Sequence, residues 1–452
     1  MTFPDHIRAT LKLGLPLIGG QLAQVFIGVT DTVMMGWYGV AELAAVGMGA
    51  NFFHIVLILG MGFGLAVMPM VAAAGARDDR RQVRRVTRMG LWIGLGFGVI
   101  ALPIFWFSGA ILLAFGQEPQ IAADAQVYLR IAGLAIWPGV LLVVLRSHLS
   151  ALERPGVVLW AWLAGTALNA GLNWVLIFGN LGAPELGIEG AALASLGTHI
   201  LIFIVLALYA TRAEGLREDM LFARFWRPDP EALAQVFRLG WPIALTLLAE
   251  SGLFMATMIM MGWIGTLELA AHTIALQIVS VTFMIHIGLS SAATVRAGRA
   301  HSKGDIIGLR RTALAVILLS GTTVAATIVL LVSAGPMLVG LFVDPTDPLR
   351  PQIIAVGTSL LVMAALFQLV DAGQVIALGL LRGLQDTGIP MVYAVVSYWL
   401  IGVPCGYLLG LPLGYGGEGI WAGLLIGLAL ASVTMMTRFW RSVARLDAPA
   451  AI

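Results

Sequence analysis

Twelve stretches of this chain are apolar for long enough to cross a lipid bilayer, and that leaves few folds open. One crossing takes about 20 residues. The stretches fall near 13–37, 46–74, 88–115, 124–150, 157–180, 187–210, 237–263, 270–296, 311–341, 352–381, 389–410 and 418–437. They are too long for strands and lack the alternation of a barrel. Lipid offers no water to unpaired backbone groups, so helices remain. Only 11% of the 452 residues are charged, against about a quarter in soluble domains. The expected fold is an all-α membrane protein of about twelve transmembrane helices.

The few charges then orient it. Of 26 Lys and Arg, 24 fall in alternate connections or at the ends, and only Arg130 and Arg350 lie on the other side. The positive-inside rule puts the basic side, with both termini, in the cytoplasm. The start MTFPDHIRATLK has no cleavable-leader pattern. Arginine far exceeds lysine, which suits a GC-rich bacterium, and the inner membrane is the expected location. A net charge of +2 gives no reason to expect nucleic acid as a partner. Cys405 is the single cysteine, so neither an internal disulfide nor a Cys-based metal site is open to the chain.

The two halves repeat at an offset of 226. MMGWYGVAELAA (34–45) meets MMGWIGTLELAA (260–271) without a gap, and Gly14 and Pro16 meet Gly240 and Pro242. Six spans separate equivalent points, so the halves share one orientation: two six-helix bundles related by a parallel pseudo-two-fold. Transporters built this way bind substrate where the halves meet. The expected division is 1–210 and 237–452, joined by 211–236. That linker is charged and carries Pro-Asp-Pro, so it reads as a solvated connection.

Three acids lie well inside spans: Asp31, Glu250 and Asp371. A carboxylate at bilayer depth costs about 2.5–3.5 kcal/mol on insertion scales and faces a partner or a wet cavity. No Lys or Arg is expected at similar depth. The acids must therefore be protonated, hold a metal cation such as Na⁺, or hold an organic cation; the bland alternative is a protonated carboxyl bonded between helices. Asn169 and Asn173 share a helix face one turn apart, and with Ser195 they offer neutral oxygens beside Asp31, or simply tie helices together. Gln24, Gln277 and Gln368 could line a cavity. Phe283 and Phe367 could add an aromatic wall suited to flat cations. His54, His199 and His286 read as interhelical hydrogen-bonding residues.

There is no G-x-x-x-x-G-K-[ST] loop, no H-E-x-x-H and no G-x-S-x-G turn. ATP-driven transport and intramembrane proteolysis are thus disfavoured, no enzyme is expected, and an ion gradient is the remaining energy source. No cofactor is expected beyond the coupling ion.

PLIGGQLAQVFIGVTDTVMMG (16–36), AELAAVGMG (41–49), AHTIALQI (271–278), VDAGQVIALGLLRGLQDTG (370–388) and GLPLGYGGEGIWAGL (410–424) together resemble the multidrug and toxic compound extrusion (MATE) family, in its NorM-like branch. The resemblance covers nearly the whole chain. It implies antiport of cationic amphipathic drugs and dyes against Na⁺ or H⁺ by alternating access; a monomer is the expected state, though not one the resemblance supplies. It points to Glu250 and Asp371 as the cation-binding pair of the second half, and to Asp31 with Asn169 and Asn173 as the polar cluster of the first. Some relatives carry Tyr one turn before the span-ten acid; Phe367 stands here and removes a hydroxyl. A lipid-linked saccharide flippase of the same superfamily, or a non-transporting scaffold or receptor, remain the alternatives.

Overall fold

The computed structural model describes residues 2–447. Its helices are α1 Phe3–Tyr38, α2 Val40–Ala76, α3 Arg80–Trp106, the short α4 Ser108–Ala114, α5 Pro119–Ala132, α6 Ile136–Ala151, α7 Pro155–Leu176, α8 Gly187–Arg212, α9 Pro230–Ile264, α10 Thr266–Ser302, α11 Ile306–Gly340, α12 Arg350–Gly383, α13 Gly388–Val395, α14 Val403–Gly410 and α15 Gly416–Asp447. Pairs α5–α6 and α13–α14 each make one continuous span, which gives, among the described residues, twelve helices long and apolar enough to cross a membrane. All twelve expected spans are present. Most run past their apolar stretch because a helix continues into water wherever caps and pairs hold it. Asp79 accepts from the Gln82 N–H at 2.9 Å, and Asp305 from the Gly308 N–H at 2.8 Å. These two N-caps satisfy otherwise orphaned donors and stand 226 residues apart, as the repeat requires.

By packing, the chain divides into two compact units. One holds Gly19–Ala244; the other holds the residues up to Ile18 and those from Leu245 on. The division expected from sequence followed the charged linker, whereas packing divides the chain within α1 and α9. Ile18 and Ala244 are again 226 apart, and each follows a helix-internal proline, Pro16 or Pro242. Proline removes one i→i−4 bond and permits a bend there.

Each unit has a helix wrapped on nearly all sides. In the first unit this is α6, buried at almost every position and in contact with α2, α3, α7 and α8. In the second it is α12, which meets α10, α11 and α15 and is buried almost throughout Ala372–Leu381. Small residues permit this closeness: a Cβ on Gly379 would meet the Ser290 carbonyl oxygen at 2.5 Å. In lipid, such close backbone approach replaces hydrophobic driving force.

The linker departs from the solvated reading. Leu216 and Leu221 are buried, and Trp92 of α3 stacks on Phe225 at 5.8 Å and donates to its carbonyl at 2.8 Å. Arg85 reaches both Asp229 oxygens, at 2.5 and 3.1 Å, and Arg80 pairs with Glu218. Charge alone suggested a free strap; opposite charges on α3 and apolar side chains every few residues dock it instead. The Arg85 guanidinium, followed by the Ala232 N–H among the groups that lower it, holds the Asp229 carboxyl below its usual range. A depressed carboxyl stabilises docking above its unfolded pKa and loses that contribution as pH falls through its folded one. Docking is therefore expected to be constant near neutrality and to loosen only in strong acid. Asp229→Asn should loosen it already at neutral pH, read as faster trypsin cleavage after Arg224.

Candidate functional site

In the first unit, three helices build a polar knot around Asp31 of α1. Asn173 Nδ2 of α7 donates to one Asp31 oxygen at 2.6 Å, and Ser195 Oγ of α8 donates to the other at 2.8 Å. Asn173 Nδ2 also meets Asn169 Oδ1 at 3.2 Å. Both Asn side chains are fully buried. The sequence-based grouping of Asp31, Asn169, Asn173 and Ser195 is a spatial cluster. Asn173 Oδ1 has no hydrogen-bond partner, so a neutral oxygen is left beside the carboxylate.

Deeper toward the basic end of the same unit lies a residue that the sequence reading missed. Arg146 was counted among the solvent-side arginines, and no cation was expected at depth. It is instead 8% exposed on α6, and its Nη1 donates to Gln21 Oε1 at 2.6 Å and, at 3.4 Å, to Gln24 Oε1. Gln24, expected to line a cavity, thus serves this guanidinium. The helix that carries Arg146 is surrounded by others, so its position one turn from the end does not reach water. Replacing Gln21 by Leu leaves a buried charge without its best acceptor. A loss of about 2 kcal/mol is expected, read by thermal unfolding in detergent and largely absent when Arg146 is also Met.

The second unit gathers Glu250 of α9, Asp371 of α12 and a tyrosine the sequence did not flag. Asp371 is 1% exposed. Its Oδ1, Glu250 Oε1, both polar atoms of Gln374 and the Tyr398 hydroxyl are buried without hydrogen-bond partners. Glu250, Asp371 and Tyr398 lie within electrostatic range of one another. Arg382 lies within range of Glu250 and Tyr398. This is a second correction to the expectation of no basic residue nearby, although the guanidinium closes no ion pair with Glu250. The tyrosine is aimed by local structure: Val396–Gly402 is a π-helical segment, a widening often found at functional sites. Trp399 beside it donates to the Ala249 carbonyl at 3.1 Å and so holds the turn of α9 that carries Glu250. A tyrosine in mid-span was the only signal available; the π turn that aims it leaves none.

The remaining candidates lie apart from a shared wall. Phe367 is buried edge-on between Phe254 and Trp421, with ring centroids at 6.1 and 5.6 Å. Its missing hydroxyl would have no exposed route. Gln368 is fully buried and bonds the Val279 carbonyl at 3.3 Å and Thr282 Oγ1 at 2.5 Å. Phe283 is partly buried and Gln277 exposed. His286 Nδ1 meets Ser320 Oγ at 3.0 Å across α10 and α11, as an interhelical residue does; His199 bonds back to its own helix at Ser195 O, 2.7 Å. Among the described residues, no group of three His, Cys, Asp or Glu side chains is arranged to hold a metal ion.

The MatE family model matches residues 16–175 and 242–408. The chain is 47% identical, over 451 residues covering 100% of it and 97% of the relative, to a probable multidrug resistance protein NorM of Rhizobium meliloti (strain 1021). It is 38% identical to a probable multidrug resistance protein NorM of Pseudomonas putida, covering 96% and 95% of the two chains. Its fold matches an outward-facing multidrug resistance MATE family transporter of the MOP superfamily with a TM-score of 0.89 at 20% identity, over 98% and 97% of the two chains. With family residues matched in both halves, and relatives aligned from end to end, the chain belongs to the MatE family of multi-pass membrane transporters.

Proposed function

We propose that this protein is a secondary exporter of amphipathic organic cations, exchanged for inward-moving Na⁺ or H⁺ by alternating access in a bacterial inner membrane. Both termini face the cytoplasm, and a single chain suffices. The observation that carries the reading is the unpartnered pair Glu250 and Asp371: buried acid oxygens that no hydrogen bond or closed ion pair satisfies. Unmet buried charge costs far more than a met one, so a cation that visits the pair is strongly favoured there. Gln374 and Tyr398 add neutral oxygens of the kind a hard cation takes. Ion and drug compete for the same acids, and that competition couples them. The names of the relatives support a drug as the cargo.

Arg146 favours a second reading, in which an anionic cargo such as a lipid-linked pyrophosphate is moved. Its engagement with Gln21 weighs against that, since a cargo would have to displace both glutamines. Proteoliposomes loaded with ethidium decide. Release driven by an imposed Na⁺ gradient, or by an imposed pH gradient, is expected; release under neither would overturn the proposal.

A further inference from the structure

The basic end of α3 and the docked linker enclose a pocket of about 290 Å³, lined by Arg85, Arg88, Met89, Arg227, Pro228 and Asp229 with Pro230 at its edge. Its charges do not cancel. Arg85 satisfies the acids: it binds both oxygens of Asp229 and also Glu231 at 2.9 Å. Arg88 hydrogen-bonds no carboxylate, although Asp229 lies close enough to attract it. Its Nη2 donates to the backbone carbonyl of Arg224 at 2.5 Å, and its Nε is buried and unpartnered. Arg84, one turn earlier on the same face, also has a buried Nε without a partner and lies close enough to repel Arg88. Arg227 is exposed at the rim. A topological excess of arginine on this side explains their number. It does not explain why guanidinium groups converge on one pocket with their acids already used.

The surroundings say what fits. The residues that α3 gives to the pocket, Arg85, Arg88 and Met89, lie toward the start of a helix long and apolar enough to cross a membrane, Arg80–Trp106. Trp226, beside Arg227, is 73% exposed, and Trp residues left open at this level sit among lipid headgroups. Guanidinium groups bind phosphate by paired, charge-assisted hydrogen bonds, and basic pockets at the ends of spans take anionic headgroups. We infer that this pocket binds the phosphate of an anionic phospholipid, whose headgroup then fastens the linker to α3. A soluble phosphate ester carries the same group without acyl chains, so the test separates the two.

The full-length protein in an uncharged detergent is heated with phosphatidylglycerol, phosphatidylcholine or free glycerol phosphate. Phosphatidylglycerol is expected to raise the unfolding temperature by several degrees more than phosphatidylcholine, with no rise from glycerol phosphate. The paired change Arg88→Gln and Arg227→Gln should remove most of that difference. Should the pair not fold, Arg227→Gln alone touches only the rim and should weaken phosphatidylglycerol binding several-fold, read by titration. Equal shifts from the two lipids, an undiminished shift or affinity in the variants, or an equal shift from glycerol phosphate would each overturn the inference.

Discussion

Asp371→Asn is expected to end ion-coupled efflux while the protein still inserts and folds. The substitution keeps shape and removes one negative charge. A cation about 4 Å from a carboxylate gains about 4 kcal/mol at the effective dielectric of such sites, which is roughly a thousandfold in affinity. Folding should not suffer, because Asp371 Oδ1 has no hydrogen bond to lose. Glu250→Gln should act the same way, for the same reason. Since the two acids lie within electrostatic range of each other, the pair should be strongly non-additive: once either is gone, the second change costs little more. Ethidium accumulation in cells, with the membrane level of each variant measured alongside, reads the outcome. Wild-type efflux in both variants would remove the basis for the exchange mechanism. Phe367→Tyr is a useful contrast. It adds back a hydroxyl, but at a ring enclosed by Phe254 and Trp421, and should change efflux far less than either acid.

Much of this molecule was legible as plain sequence. Spans are legible because lipid forces every backbone group into helix, so length and apolarity suffice. The repeat is legible because Met34–Ala45 and Met260–Ala271 still share their scaffold residues. The cluster of Asp31, Asn169, Asn173 and Ser195 could be assembled because each is a polar side chain where a polar side chain is costly. What escaped was whatever depends on the neighbours of a helix rather than on the helix itself. Arg146 sits near the end of its span, where arginines are ordinarily wet; only the crowding of α2, α3, α7 and α8 around α6 makes it buried. Arg382 was likewise counted as a cytoplasmic charge, yet a side chain on a helix leans toward the N-terminus, and here that direction leads back toward Glu250. The linker looked solvated because its charges are many, and composition does not say that Arg80 and Arg85 wait opposite them. Tyr398 depends on a change of helical pitch.

The largest effect on stability is expected at Gly423. In α14 and the turn before it, Gly402, Gly406 and Gly410 recur every fourth residue, and in α15 Gly419, Gly423 and Gly427 do the same. The stripes face each other. A Cβ on Gly423 would fall 2.2 Å from the Gly406 backbone and 2.8 Å from the Gly402 carbonyl oxygen, where no side chain can yield. Gly423→Ala must therefore push apart a pair of helices whose attraction in lipid comes from that contact. Overpacking of this kind costs about 3 kcal/mol, read as a lower unfolding temperature in detergent. Gly321→Ala in α11 is the control, since a Cβ there meets nothing within 4 Å. Alanine is the better helix former by about 1 kcal/mol, so that variant should be neutral or slightly stabilised. The same substitution would then carry opposite signs in one unit, set by backbone proximity alone. If both variants unfold alike, the close approach of α14 and α15 is wrong. So, with it, is the footing of Val396–Gly402, whose last residue is the Gly402 that Gly427 and Gly423 contact and whose Tyr398 lies within electrostatic range of the acids. Efflux in Gly423→Ala should accordingly fall by more than its loss of folded protein explains.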